Sequence, residues 1–311
     1  MEKAALFEVL VGYECNNNCR FCSIDFDKRK FNKSTGEVKQ DILHARESGA
    51  EILGFTGGEP TIRKDIIELA EFAKEQGFRT VRVQTNGRMF SDKEFAKKVI
   101  GAGVNYFKFT LNGHTPEIHD FLSQVPGSFE QTIAGIKNVK ALGRTVEINI
   151  LINKQNYKFL PRMVKFLMDL GVSRFTMIFP SYIGNALNYK DDVVVSLSNA
   201  VPYIKEAIDI VEEHGLDKAV TVSIPPCFMI GYEKFSASEL SPMRTKIRGP
   251  GFAVNLDDKI RDEKKKCRQC SDCRYDLICA GVRIDYVDLF GCKEVKPVAG
   301  KKIKSVQEIR A

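Results

Sequence analysis

The chain has 311 residues, 43% hydrophobic and 28% charged, with a net charge of +7 at neutral pH. That is the composition of an ordinary globular protein of one large or two modest domains. No apolar run of about eighteen residues occurs, so no membrane span is expected, and the opening MEKAALFEVLVGYEC has too short an apolar run for a signal peptide. With no export signal, the nine cysteines read as metal ligands in a reducing cytoplasm rather than as disulfides.

Residues 5–11 are apolar and β-prone and predict a buried strand. A cysteine-bearing loop follows, then a helix over 34–48 with Ser34 or Thr35 as its cap. Further strands are expected at 51–55, 79–84, 105–111, 146–152 and 174–179. Helical spacing predicts helices at 63–76, 91–100, 116–122, 129–142 and 157–170. Strands alternating with helices imply a parallel sheet, and polar motifs just after strand ends put the functional loops at its carboxyl edge, as in β/α barrels.

The loop after the first strand carries Cys15, Cys19 and Cys22 in the spacing C-x3-C-x2-C. Spacing so close needs a tight wrap, and the run Asn16-Asn17-Asn18 tolerates the turn and left-handed backbone that a wrap requires. Thiolate is the usual ligand of an iron–sulfur cube, and three cysteines leave one of its four irons open, the mark of a reactive metal. Zinc is the alternative, but it wants a fourth ligand close by, and the nearest histidine, His44, falls in a helical pattern. After the second strand comes Gly57-Gly58-Glu59-Pro60, where two glycines let backbone approach a ligand closely and a proline stiffens the exit.

These two motifs, in this order on this pattern, resemble the radical S-adenosylmethionine (SAM) superfamily. The resemblance implies a partial (β/α)6 TIM-like barrel over residues 1–215, with a small C-terminal iron–sulfur extension over 216–311. It implies a [4Fe–4S] cluster on Cys15, Cys19 and Cys22 whose open iron chelates the methionine moiety of SAM. Reductive cleavage then gives a 5′-deoxyadenosyl radical that abstracts hydrogen from substrate. By the same resemblance the backbone of Gly57, Gly58 and Glu59 meets the methionine amino group, and Phe21 lies near the adenine. Thr85-Asn86-Gly87 and Thr110-Leu111-Asn112-Gly113, after the third and fourth strands, are similar to SAM-facing segments of relatives. Thr85, Asn86, Thr110 and Asn112 are therefore candidate contacts, with Thr and Asn where relatives carry Ser and Asp, and Asn153 after the fifth strand could reach the same ligand. His114 and His119 could shuttle a proton, although a structural role at the start and face of a helix is the simpler reading.

A second cysteine group reads Cys267-x2-Cys270-x2-Cys273-x5-Cys279-x-Gly281, with Cys227 upstream. It resembles the auxiliary-cluster segment of radical SAM enzymes with SPASM or Twitch extensions. That implies one auxiliary [4Fe–4S] cluster on Cys227, Cys270, Cys273 and Cys279, with Cys267 as the alternative ligand and Cys292 as a bystander. A structural zinc knuckle is the competing reading. The positive charge gathers in Lys264-Lys265-Lys266 and Lys301-Lys302-Ile303-Lys304, read as a solvated surface, with an anionic partner such as RNA as the alternative.

The expectation is thus a cytoplasmic radical SAM enzyme served by an external one-electron reductant of the flavodoxin or ferredoxin type. A peptide or protein is the first substrate class and cofactor or small-molecule biosynthesis the second. An RNA-modifying enzyme and a non-catalytic iron–sulfur protein are the rivals. Only fourteen residues precede Cys15, so no fused N-terminal recognition domain is expected.

Overall fold

A computed structural model describes residues 5–216, 218–236 and 244–310. By internal contacts the chain forms two compact units, one of Met1–Cys19, Ile24–Ile148 and Met243–Asp258, the other of Arg20–Ser23, Asn149–Pro242 and Lys259–Ala311. These units do not divide at residue 215, the boundary drawn from sequence. The first takes back a late segment because β8 (Thr245–Gly249) pairs in parallel with β1 (Leu6–Leu10).

In the first unit β1, β2 (Ile52–Thr56), β3 (Thr80–Thr85) and β4 (Tyr106–Thr110) are neighbouring parallel strands. Beyond β1 come β8 and then β9 (Phe252–Asn255), which turns back antiparallel. The connections are α1 (Thr35–Glu47), α2 (Ile66–Glu75) and α3 (Lys93–Gly101). After β4 come α4 (Pro116–Ser123) and α5 (Ser128–Ala141). Helix α1 starts where the sequence places it: Ser34 and Glu37 form a reciprocal capping box that satisfies two otherwise orphaned donors.

Strands β3 and β4 alternate strictly. Val81, Val83, Phe107 and Phe109 are buried among the helices, and Phe90 packs its ring 5.4 Å from Phe107 and 5.6 Å from Phe109. The opposite face is charged. Arg82 reaches across Gly54 to pair with Glu8, and Lys108 pairs with Glu147 at 2.9 Å. Gly54 is what makes room: a Cβ there would lie 2.4 Å from the Glu8 carboxylate and 3.0 Å from Arg82 Nε. Burial holds both Arg82 and Lys108 below their usual pKa, with Glu147 opposing the shift in each.

β5 (Thr145–Leu151) leads into the second unit. There α6 (Leu160–Asp169), β6 (Arg174–Ile178), two one-turn helices α7 (Asn185–Asn188) and α8 (Lys190–Val193), and the long α9 (Leu197–Glu213) follow. A further parallel strand, β7 (Lys218–Val222), pairs with β6; like β8 and β9 it is not among the six strands that the sequence pattern predicts. The remainder is mostly irregular. Among the described residues no helix is long and apolar enough to cross a membrane.

Candidate active site

The cysteine loop leaves β1 and is gripped from both sides. Asn32 Oδ1 accepts from the N–H groups of Tyr13 and Glu14, both at 3.1 Å. On the other side Gly58 N–H donates to Gly12 O at 2.9 Å and Glu59 N–H to Glu14 O at 2.8 Å. Gly57, at φ +128°, and Gly58 allow this approach, since a Cβ would stand 2.2 Å from Gly12 O at the first and 2.1 Å from Glu14 O at the second. The glycine pair thus fits the backbone of the cysteine loop, and two of its segment's N–H groups are spent there.

Glu59 is nearly fully buried and ties two loops together. Its carboxylate accepts from Thr61 N–H at 3.1 Å, the Thr61 hydroxyl at 2.6 Å, the Thr85 hydroxyl at 2.8 Å and Asn86 N–H at 2.6 Å. Burial raises its pKa, and the four hydrogen bonds pull the other way. Held by this hub, Asn86 turns its Nδ2 to Asn16 Oδ1 at 2.6 Å and toward Cys15 Sγ at 3.9 Å. Arg88, which the sequence reading does not single out, donates to Asn16 O and to Asn17 Oδ1 at 2.9 Å.

The three asparagines need a correction. None has a positive φ; among described non-glycine residues only Gln124, Ser223 and Arg244 do. They work through hydrogen bonds instead. Asn16 and Asn17 receive Asn86 and Arg88, Asn18 Oδ1 accepts from Arg29 at 2.6 Å, and Asn17 N–H points to Cys15 Sγ at 3.4 Å. Such donors stabilise a thiolate, which is the form that binds iron.

Cys15, Cys19 and Cys22 are half-buried and outside any disulfide. Thr85 is buried and accepts from Gly87 N–H at 2.9 Å, so its hydroxyl serves the loop. Thr110 is half-buried at the end of β4, and Asn112 is buried beyond it. Asn112 N–H donates to His119 Nδ1 at 3.3 Å. Burial lowers the His119 pKa to about 4, so the ring is neutral near pH 7, with Nδ1 accepting from the loop backbone. The unfolded chain would protonate this ring from about pH 6.5 downward. Its contribution to stability is therefore full above that value and lost as pH falls toward 4. Relative to a His119→Gln variant, the protein is expected to lose about 2–3 kcal/mol between pH 7.5 and 4, read from urea midpoints.

In the second unit, Phe21 is buried and Ala186 N–H donates to Cys22 O at 2.9 Å. Asn153 is fully buried and closes the turn after β5. Its Nδ2 donates to Leu151 O at 2.8 Å and its Oδ1 accepts from Gln155 N–H at 3.0 Å, so both polar atoms of its side chain bond within the turn.

Cys227, remote in sequence, joins Cys270, Cys273 and Cys279 in lining one partly open cavity of this unit. Val298 N–H points to Cys273 Sγ at 3.4 Å and Gly281 N–H to Cys279 Sγ at 3.3 Å. Gly281, at φ +102°, is forced by a close pass: a Cβ would lie 2.2 Å from Lys265 O. Burial pushes the Cys227 thiol up to about 12, and Cys279, Cys273 and Cys270 push the same way. Cys267 is not part of this set. It forms a disulfide with Cys292, which corrects both its reading as an alternative ligand and the expectation of no disulfides. Two cysteines that stand 25 positions apart give no local sign of pairing, and only the fold brings them together.

A sequence profile of the Radical SAM superfamily matches residues 9–177. The chain belongs to that superfamily. It is a radical SAM enzyme of α/β fold, and membership implies a [4Fe–4S] cluster and SAM. The AdoMet-dependent heme synthase of Methanosarcina barkeri is 26% identical to it over 309 residues, spanning 86% of this chain and 88% of that protein. The Fe-coproporphyrin III synthase of the same organism is 31% identical over 201 residues, 64% of this chain and 48% of that protein, so this chain spans about half of that relative. In fold it is similar to Streptococcus suis SuiB bound to precursor peptide SuiA, with a TM-score of 0.69 at 18% identity over 97% of this chain and 75% of SuiB. The donor chemistry at both cysteine groups suits iron–sulfur clusters: several thiols, with backbone N–H groups aimed at sulfur. Among the described residues no three His, Cys, Asp or Glu side chains converge closely enough to hold a single metal ion.

Proposed function

We propose that this radical SAM enzyme carries two clusters and builds a tetrapyrrole-type cofactor. Cys15, Cys19 and Cys22 would hold the SAM-binding cluster, and Cys227, Cys270, Cys273 and Cys279 the auxiliary one. The observation that carries the second site is the gathering of Cys227 with the three close-spaced thiols of Cys270, Cys273 and Cys279 around one cavity. When bound, the first cluster and SAM supply the hydrogen-abstracting radical. The protein's share is to hold the cysteine loop rigid through Asn86, Arg88 and Asn32, and to keep the carbonyls of Gly57 and Gly58 and the Thr110–Asn112 edge at the mouth of the strands. The cofactor reading draws on the heme synthase and Fe-coproporphyrin III synthase relatives, the first of which matches nearly end to end. A peptide substrate is the second reading, favoured by the likeness in fold to SuiB, solved with its precursor peptide.

The experiment is anaerobic reconstitution of the protein and of a Cys270→Ser/Cys273→Ser variant. Iron is expected to fall from about eight to about four per chain, with dithionite-driven SAM cleavage retained in part. Equal iron in both proteins, or zinc in place of iron, would remove the auxiliary cluster. Iron-porphyrin precursors and peptides are then compared as substrates by deuterium incorporation from substrate into 5′-deoxyadenosine.

A further inference from the structure

Residues 264–304 hold eleven lysines and arginines against five aspartates and glutamates, a net +6 out of the chain's +7. This charge is not spread over the protein. Five of these basic residues, Lys266, Lys296, Lys301, Lys302 and Lys304, stand at or beside the four-thiol cavity. Lys266 and Lys296 stand on the cavity wall beside Cys227, Cys270, Cys273 and Cys279. Ile303 packs on Cys273 and Tyr275, which brings Lys301, Lys302 and Lys304 alongside. Asp276 is the one carboxylate of the cavity lining, and it is shared by Lys266 at 3.0 Å and Lys302 at 3.2 Å. Lys296, Lys301 and Lys304 are exposed.

An apolar contact lies within this ring. Leu277, between Cys273 and Cys279, is 60% exposed, among the most exposed large hydrophobic side chains described. A solvated lysine face has no use for a leucine on the loop that wraps a cluster. RNA would want exposed aromatic rings for base stacking, yet Tyr275 and Tyr286, the two tyrosines of this segment, are both buried. A basic ring around a small apolar centre, a few residues from a redox group, suits an acidic protein that docks briefly and steers by charge.

We propose that this lysine-ringed face docks an acidic one-electron carrier, so that electrons enter at the auxiliary cluster. The inference rests on the two-cluster reading above. The docked carrier loses one electron and the cluster gains it; no bond forms or breaks.

The test uses a reduced or oxidised flavodoxin as the probe and the variant Lys301→Glu/Lys304→Glu in the full chain. The native protein is expected to bind oxidised flavodoxin more weakly as salt rises from about 50 to about 300 mM. The variant should bind about tenfold or more weakly at low salt and lose that salt dependence. SAM cleavage driven by flavodoxin hydroquinone should fall in parallel, while dithionite-driven cleavage and iron content stay unchanged. Equal flavodoxin binding by the two proteins overturns the proposal, as does loss of single-stranded RNA binding with flavodoxin binding intact. Binding lost only in the variant, with about four irons per chain in both, keeps the docking face and removes the auxiliary cluster.

Discussion

Replacement of Cys15, Cys19 and Cys22 together by alanine is expected to abolish SAM cleavage and to lower iron to about half of the native content. Loss should reach the limit of detection, because on the proposed assignment these thiols hold the three irons that anchor the cluster, the fourth iron being the one left open for SAM, and nothing in the loop substitutes for them. The surrounding hydrogen bonds are built by other residues: Asn32 holds Tyr13 and Glu14, and Asn86 and Arg88 hold Asn16 and Asn17. The loop's scaffold therefore survives the substitution, and the urea midpoint of the apo protein should move little. That separates loss of the ligand from loss of the fold. Iron and sulfide counts, electron paramagnetic resonance of the reduced protein and 5′-deoxyadenosine assays on one sample would decide it. Formation of 5′-deoxyadenosine by the triple variant would sink the assignment of these cysteines.

Much of this was legible in sequence where the cause is local. Strand and helix positions follow from short-range apolar spacing, and the start of α1 follows from Ser34 and Glu37 alone. The cysteine spacing and the glycine pair are equally local. What was not legible depends on partners far along the chain. Glycine at 54 is explained only when Glu8 and Arg82 are seen to meet across it, 74 positions apart. Arg88 carries no motif; its value lies in reaching Asn16 and Asn17, some 70 residues earlier. The asparagine run invited a backbone explanation because composition speaks of turns, whereas its side chains are what the fold uses. Of the six cysteines after Asn153, the four that line one cavity are those the family resemblance groups together, whereas nothing in their spacing says that Cys267 and Cys292 pair with each other.

Truncation of Glu59 to alanine is the second large effect expected, and it acts through stability first. The substitution leaves three buried donors and one half-buried donor without an acceptor: the N–H and hydroxyl of Thr61, the hydroxyl of Thr85, and the N–H of Asn86. Each unsatisfied group forfeits more than a made hydrogen bond contributes, so a cost of about 3–5 kcal/mol is expected from urea unfolding. The sign with pH follows from the raised carboxyl pKa. The native hub contributes most below the ordinary carboxylate range and loses part of that as pH rises through the folded value; the variant lacks this slope. The consequence for chemistry is indirect. Asn86 hangs from Glu59 by its N–H and reaches Asn16 and Cys15 by its amide, so a loosened hub loosens the cysteine loop. Reconstituted Glu59→Ala is therefore expected to shed iron faster than the native protein on challenge with a chelator, even at temperatures where it stays folded. A cost below about 1 kcal/mol with native iron retention would mean that water replaces the carboxylate, and that the loop is held by Asn32 and Arg88 alone.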